Sequence, residues 1–412
     1  MKKLIALTLA LVLCLSLTSA VFADGASPIK GILVNAENRG FGKEATSVVL
    51  TLDDTAEYQN LTAEDYSFNR VMIDKRASKE TDMHPLSVTY TDTEIILETE
   101  PFIVESSKRH FSFTCTDERL NFVYADITEI SCPNVDLFTD EEITVGTNTM
   151  KYHLYSPDAE EALPVVIYNH GGGCTGYPGV LTDDCFASAW ITGDAQAEFP
   201  CYVIAPYRAS LKDSSVSQEE DMAALKAAID KLVDEGKVDG SRIYMCGESA
   251  GCMFTRTFGK TYPGYLAAEV LMSGGPMDIA EGTPLEDAVQ KNLSSPWSDE
   301  ELQTLAASGS AVAIVQGLGD TLSIPIRLAT AYKKMEALGM NVVWVPYSAE
   351  KFNDLLRSVT TIYHIGQDEP AKAFDPITGE VTWQDGLFHN TSRVTAWDPF
   401  IRSWLQEQKL DK

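Results

Sequence analysis

The stretch that decides the fold is Asp239-Gly-Ser-Arg-Ile-Tyr-Met-Cys-Gly-Glu-Ser-Ala-Gly251. Its short apolar run, Arg242 to Cys246, is typical of a buried strand, and the residues after it have the spacing of a packed helix. The G-x-S-x-G between them predicts a sharp strand-to-helix turn that presents Ser249 at the edge of a sheet. Both glycines suit that turn, because side chains there would collide with the strand and the helix. The stretch therefore predicts a serine nucleophile in an α/β protein.

Apolar runs and helical patterns alternate on both sides of this turn. The runs are Pro164 to Tyr168, Cys201 to Ala205, Arg242 to Met245, Ala267 to Met272, Ala311 to Val315 and Val342 to Val345; the helical patterns are Glu219 to Val233, Ala250 to Phe258, Ile324 to Leu338 and Val394 to Gln406. Continuous apolar runs are typical of strands covered on both faces. The alternation predicts a doubly wound, mostly parallel sheet, with ligands at the carboxyl ends of its strands.

The chain before about Phe138 has a different pattern, rich in short strands and without a strong helix. The expected strands are Thr46 to Leu52, Ser87 to Tyr90, Glu94 to Thr99, His110 to Thr114 and Leu120 to Ala125. Regularly spaced short strands favour a small all-β sandwich of immunoglobulin-like type over residues 24–140, followed by an α/β domain over residues 141–412. The boundary falls near Phe138 to Val145, although Glu142 to Tyr155 also fits the first hairpin of the second domain. Shielding the active site, homo-oligomerisation and binding a surface all stay open as roles for the first domain.

The first 23 residues have the pattern of a signal peptide. Two lysines precede an apolar run from Leu4 to Leu17, and small residues then favour cleavage after about Ala23. Cys14 lies inside the apolar run, so lipidation is the weaker interpretation. We therefore expect a secreted protein, extracellular or periplasmic, without an integral membrane segment after cleavage.

The charge and the cysteine content of the chain limit the classes of partner and ligand that we expect. Lysine and arginine number 32 against 60 aspartates and glutamates, for a formal net charge of −28, so the surface repels nucleic acid and anionic lipid. Seven cysteines follow the signal peptide, an odd number, so at least one is free or pairs with another chain. Pairing of Cys115 with Cys132, or of Cys174 with Cys185, stays open. The cysteines lack Cys-x-x-Cys spacing, and we expect neither metal nor cofactor.

A serine nucleophile needs an oxyanion hole, and the sequence offers one. His170-Gly-Gly-Gly173 follows the strand at Tyr168, and glycines there leave backbone N–H groups free to face a developing negative charge. Gly172, Gly173 and Ala250 are the expected donors. His170 itself is expected to stabilise the turn. An ordinary glycine-rich turn is the alternative.

A base and an orienting acid are also needed, and both candidates come later in the chain. Asp320 follows a buried strand, with Asp278 as its competitor and helix capping as the structural alternative. His389 precedes the last helical pattern and is favoured as the base over His364. The resulting order Ser249, Asp320, His389 differs from the orders in chymotrypsin and subtilisin.

With these motifs in place, residues from about 145 to 408 resemble the α/β-hydrolase superfamily. Asp239 to Tyr244 before the turn, Gly317 to Asp320, and His389 followed by Trp397 to Leu405 are similar to secreted bacterial carboxylesterases of the phospholipase/carboxylesterase and feruloyl-esterase-like kind. Some of those carry an N-terminal immunoglobulin-like domain. The chain departs from them at Cys252, where many have glycine, and in the long segment Ser348 to Leu387.

The resemblance implies ester hydrolysis through a serine acyl-enzyme, on a small-molecule or polysaccharide-linked ester. Aromatic residues that would line its pocket are Tyr177, Trp190, Tyr363, Phe374 and Trp383, although loop packing explains them equally well. Acyl and alcohol specificity stay open, as does the formation of a lid by residues 348–387. Two other functions are a serine peptidase of prolyl-oligopeptidase type, which requires an N-terminal propeller, and a non-catalytic binding protein on the same scaffold.

Overall fold

The computed structural model describes residues 27–40, 42–74, 77–106, 109–275, 279–280, 282–291, 298–359, 371–384 and 389–411. The predicted signal peptide, Asp278, Tyr363 and His364 lie outside the described residues, as does the side chain of Trp383.

The N-terminal part is built from strands in two sheets. The strands are β1 Gly31–Arg39, β2 Gly42–Thr51, β3 Tyr66–Asp74, β4 Ala77–Met83, β5 Ser87–Tyr90, β6 Glu94–Ile103, β7 Glu105–Ser106, β8 Arg109–His110, β9 Ser112–Cys115, β10 Phe122–Val123 and β11 Glu129–Ser131. One sheet has the order β11-β1-β2-β6-β5 and the other β10-β9-β3-β4, while β7 and β8 form a hairpin. Side chains from both sheets, among them Val34, Leu97, Phe68 and Phe113, form one hydrophobic core. Organisation of these sheets as an immunoglobulin-like domain stays a prediction.

One expected strand here is mostly wrong. The run Leu120 to Ala125 keeps only the two-residue β10 between the 3-10 turns Glu118–Leu120 and Tyr124–Asp126. Two carboxylates cause this, because Asp117 accepts from the N–H of Arg119 and Asp126 accepts from the N–H of Val123. Local side-chain bonds of this kind compete with a strand's ladder.

The rest of the chain contains a larger sheet of eight strands. Its strands are β12 Thr139–Val145, β13 Asn148–Tyr155, β14 Leu163–Asn169, β15 Tyr202–Pro206, β16 Val238–Glu248, β17 Ala268–Met272, β18 Ala311–Gly317 and β19 Val342–Tyr347. The order is β12-β13-β15-β14-β16-β17-β18-β19. Strands β14 to β19 pair in parallel, and the hairpin β12–β13 is antiparallel. The alternative boundary, with a first hairpin near Glu142 to Tyr155, thus matches the strands of this sheet. A further hairpin pairs β20 Ala371–Phe374 with β21 Val381–Gln384.

The helices lie mostly in this second part of the chain, and several of them pack against its sheet. They are α1 Pro133–Asp136, α2 Gly179–Thr182, α3 Phe186–Ala189, α4 Gly193–Glu198, α5 Gln218–Asp234, α6 Ala250–Thr261, α7 Leu285–Gln290, α8 Asp299–Ala307, α9 Ile326–Ala337, α10 Ala349–Val359, α11 Ser392–Thr395 and α12 Pro399–Gln406. The expected single helix Val394 to Gln406 is wrong, because the chain breaks it into α11 and α12. Pro399 has no N–H to continue a helix, and Asp398 caps the new one by accepting from the N–H of Phe400.

The two parts of the chain meet at the tip of the β1–β2 hairpin. The Asn38 amide, fully buried, donates to the carbonyl of Leu181 at 2.7 Å and to Ser188 Oγ at 2.8 Å. The Arg393 guanidinium donates to the carbonyl of Gly40 at 3.0 Å. Because Arg393 belongs to α11, this contact lies close in sequence to the candidate base His389.

The cysteines do not form the pairs that the sequence left open. Cys115, Cys132, Cys174, Cys185, Cys201, Cys246 and Cys252 are all buried free thiols. A helix long and apolar enough to cross a bilayer does not occur among the residues described.

Candidate active site

Ser249 lies in the sharp turn that the sequence predicted, between β16 and α6. Its backbone has φ 54° and ψ −114°, a conformation that costs a non-glycine residue of order 1–3 kcal/mol. Both flanking glycines are required sterically. A Cβ at Gly247 would overlap the carbonyl of Gly251, and one at Gly251 would overlap the carbonyl of Asn169. The turn therefore holds Ser249 in a strained conformation at the carboxyl end of a central strand.

The glycine loop after β14 lies against this turn, because β14 is the parallel neighbour of β16. A Cβ on Gly171 would lie 3.8 Å from Ser249 Cβ, and one on Gly172 would lie 3.9 Å from Ala250 Cβ. At Gly173 a Cβ would meet open space. The structure thus brings Gly172 and Ala250 together, whereas the Cβ position of Gly173 faces open space.

His170 anchors this loop and does not act as a free base. Its Nδ1 donates to the carbonyl of Gly171 at 2.9 Å, and its Nε2 accepts from the backbone N–H of Arg208 at 3.3 Å. Burial, and then the nearby Arg208 charge, lowers the pKa of His170 to about 4. A neutral imidazole with its proton on Nδ1 satisfies both bonds, in agreement with the turn-stabilising role expected from sequence.

Asp320 and His389 come together although 69 residues separate them. His389 Nδ1 donates to Asp320 Oδ2 at 2.8 Å. The other carboxylate oxygen of Asp320 accepts from the N–H groups of Leu322 at 2.8 Å and Ser323 at 2.9 Å. Asp320 is buried, while His389 keeps some exposed surface. Asp320 does not cap the following helix, which begins at Ile326 after Pro325 without a side-chain cap, so the capping alternative is wrong. One of its carboxylate oxygens holds the turn at Leu322 and Ser323, and the other accepts from His389.

The loop that carries His389 is tied back to the serine turn. Glu248, which precedes Ser249, accepts from the N–H of Ser392 at 2.8 Å. Ser392 Oγ in turn donates to Asp184 at 2.6 Å. Burial, followed by the proximity of Asp184, raises the pKa of Glu248 well above its ordinary value. A buried chain of bonds thus connects the residue beside the nucleophile to the histidine loop.

The aromatic residues that could line a substrate pocket lie in different surroundings. Tyr177 is half-buried beside the glycine loop, and Phe374 is 53% exposed on the hairpin β20–β21. Of the two interpretations left open for Trp190, packing is the one that fits, because the residue is fully buried in the core, where its ring packs against Phe199. Its position is set by packing of the short helices after the glycine loop. The long segment before His389 contains α10 and the hairpin β20–β21.

Sequence reasoning missed three polar residues that connect these segments: Glu248, Ser392 and Arg208. Arg208 had a usable signal, since it comes two residues after β15, at the same sheet edge as Ser249. Glu248 and Ser392 had none, because their bond joins distant segments. Within the described ranges, His, Cys, Asp and Glu form no cluster that could hold a metal ion.

Comparison with solved structures agrees with this architecture. A structure described as a thermostable esterase has 16% sequence identity and a TM-score of 0.62, covering 92% of this chain and 100% of its own. Two others have lower scores. A thermostable esterase from Pseudomonas putida ECU1011 has 15% identity and a TM-score of 0.41 over 66% of this chain and 80% of its own. A dienelactone hydrolase, described as putative in its name, from Klebsiella pneumoniae subsp. pneumoniae MGH 78578 has 16% identity and a TM-score of 0.40 over 66% and 98%.

The larger sheet, with its strand order and serine turn, and the first of these likenesses lead to one conclusion. The chain contains an α/β-hydrolase fold. No protein-family model matches the sequence, and no curated protein matches it either. The likeness to known structures is therefore one of fold, and activity has to be argued from the site.

Proposed function

We propose that this protein is a serine carboxylesterase. The observation that carries the proposal is the pairing of a strained Ser249 turn with a buried Asp320 bonded to His389 on the same edge of the sheet. Together these residues supply a nucleophile, a base and an orienting acid. The description of the structure with a TM-score of 0.62 as a thermostable esterase supports the same reaction class.

In the proposed reaction His389 takes the proton of Ser249, whose Oγ attacks the ester carbonyl carbon. The N–H groups of Gly172, Gly173 and Ala250 hold the resulting oxyanion. Collapse expels the alcohol, which receives the proton from His389. Water then attacks the acyl-enzyme by the same route and releases the acid. Asp320 keeps the imidazole in the tautomer with its proton on Nδ1 and stabilises the imidazolium that forms.

We also propose the domain organisation expected from sequence. It consists of a signal peptide over residues 1–23, an immunoglobulin-like sandwich over 24–140 and the catalytic domain over 141–412, in a secreted protein. The shared core of the two N-terminal sheets supports the sandwich. Self-association through the sandwich stays a prediction. The prolyl-oligopeptidase alternative requires a propeller, whereas the described N-terminal strands form two sheets of five and four strands and one hairpin.

The test is hydrolysis of a p-nitrophenyl ester series, from acetate to palmitate and a feruloyl ester, beside p-nitroanilide peptides. Wild type is compared with Ser249→Ala, His389→Ala and His364→Ala. His84→Ala is the matched control, since His84 lies half-exposed in the N-terminal part. We expect loss of several orders of magnitude in kcat for Ser249→Ala and His389→Ala, and no change for His84→Ala.

Each outcome decides one assignment. Retained activity in His389→Ala with loss in His364→Ala transfers the base to His364. Cleavage of the anilides alone favours a peptidase. A wild type that is folded and inactive on every ester and anilide refutes the proposed function and leaves the binding protein.

A further inference from the structure

We propose that Arg208 is a positioning residue that holds the two halves of the oxyanion hole in register. The inference rests on the proposed esterase function. It adds a residue to that site which lies outside the serine, the histidine, the aspartate and the donor N–H groups.

The two halves of the hole come from distant parts of the chain. One is the glycine loop after β14, and the other is the first turn of α6. The donors on them have to face one point to within a few tenths of an ångström, because oxyanion stabilisation depends on donor geometry. The backbone of Gly251 lies directly against the carbonyl of Asn169, which sets the distance between the two halves. This contact does not fix how each peptide plane is rotated.

Arg208 contacts both halves at once. Its guanidinium donates to the carbonyl of His170, at the start of the glycine loop, and to the carbonyl of Ala250 at 3.2 Å. Its backbone N–H donates to His170 Nε2 at 3.3 Å. One side chain therefore bridges the residue before the loop and the residue after Ser249.

A held carbonyl fixes more than its own oxygen. The peptide unit is planar and trans, so its C=O and N–H point in opposite directions. The bond to the His170 carbonyl thus fixes the His170–Gly171 peptide plane, which adjoins the plane that carries the Gly172 N–H. The bond to Ala250 fixes the plane next to the second donor. Both planes that adjoin the proposed donors are set by the same rigid, planar guanidinium.

The energetic cost of this arrangement argues against a merely space-filling role. Arg208 is 2% exposed, and its Nε has no hydrogen-bond partner in the structure described. Its charge is balanced by the nearby buried Asp221, whose carboxylate accepts from Ser210 N–H at 2.9 Å, and by the Phe254 ring 5.0 Å away. Burial lowers the pKa of Arg208 to about 10, so the group stays charged at neutral pH. An apolar side chain is often the less costly way to fill such a core.

The test compares Arg208→Lys and Arg208→Gln with Arg402→Lys. Arg402 is a matched control because its guanidinium also donates to two carbonyls, of Ala396 at 2.7 Å and Ala189 at 3.2 Å, beside a Trp190 ring. Lysine keeps the charge but loses the planar fork. Measured for each variant are kcat and KM on p-nitrophenyl acetate, urea unfolding, and inhibition by a trifluoromethyl ketone, whose adduct with Ser249 places an oxyanion in the hole.

For Arg208→Lys we expect a 10- to 100-fold loss of kcat, scaled from about 10²–10³ for removal of an entire oxyanion donor, with KM changed less than about threefold. The ketone's Ki should rise by the same factor as kcat/KM falls. Arg402→Lys should lose stability and keep both kinetic constants.

Several results overturn the inference. One is an Arg208→Lys enzyme with the kcat and Ki of wild type. Another is a loss of kcat without a change in Ki. If both Arg208 variants fail to fold while Arg402→Lys folds, Arg208 is a core residue and the positioning role is wrong. A wild type inactive on every ester refutes the proposed function itself, which separates that failure from this one.

Discussion

Substituting Asp320 by asparagine tests the proposed orienting role with little change in shape. One carboxylate oxygen accepts two backbone N–H groups, from Leu322 and Ser323, and the other accepts from His389. Asparagine has one acceptor oxygen, and the two N–H donors require it on their side. Its NH₂ group must then face His389 Nδ1.

That orientation decides the tautomer. With an NH₂ donor opposite Nδ1, the neutral imidazole carries its proton on Nε2 and cannot accept the Ser249 proton there. The corresponding change in a known serine protease lowers kcat by about 10⁴, equal to about 5 kcal/mol of transition-state stabilisation. Because three hydrogen bonds survive and only the charge is lost, the free energy of unfolding should fall by about 1–2 kcal/mol.

The assay is kcat on p-nitrophenyl acetate at pH 8, beside urea unfolding. Asp375→Asn is the control, since Asp375 is buried and accepts from Trp344 Nε1 and the N–H of Ile377 without touching the site. We expect full activity there. An Asp320→Asn enzyme that keeps more than about 1% of kcat would refute the tautomer argument.

Two further predictions concern stability. The free energy of unfolding of Ser249→Gly should be about 1 kcal/mol higher than that of Ser249→Ala, because glycine alone tolerates φ 54° and ψ −114° without strain. Equal urea midpoints for the two variants would show that the turn is unstrained. Between pH 6.5 and 4, His170 takes up a proton in the unfolded chain but not in the folded chain, where its pKa is about 4. Lowering the pH from 6.5 to 4 should therefore reduce the free energy of unfolding of wild type by about 3 kcal/mol. The variant His170→Gln should not show this loss. If the free energy of unfolding, measured with urea, falls equally with pH in both proteins, the prediction is wrong.

Much of the fold could be predicted from local sequence patterns. The strand at Arg242 to Cys246 and its glycine turn were predictable because a strand buried on both faces has to be apolar throughout. Strand β1 was missed because its second half is polar. Asn38 follows the inward positions of Val34 and Ala36, yet it is an amide, since it faces Leu181 and Ser188 across the contact between the two parts. Alternation fails where an inward position serves an interface.

The site shows the same division. Asp320 and His389 could be singled out because each stands beside a recognisable element in the order of the resembling family, and the structure places them 2.8 Å apart. Their catalytic roles stay predictions. The position of Arg208, two residues after β15, could have indicated a place at the same sheet edge. The partners of Arg208 and Glu248 could not be predicted, because each contacts a segment about 40 to 150 residues away. Sequence spacing holds no record of such contacts.

The seven buried thiols can report when the parts of the structure around them open. Burial raises the pKa of every one of them, to about 11 for Cys132 and about 12 for Cys201 and Cys252. A thiol reagent can modify them only when the surrounding structure opens, because the reactive thiolate is suppressed in the closed state. Cys115 and Cys132 lie in the core of the two N-terminal sheets and Cys201 in that of the large sheet. The rates of modification at these cysteines would therefore time the opening of each core separately, without any engineered label.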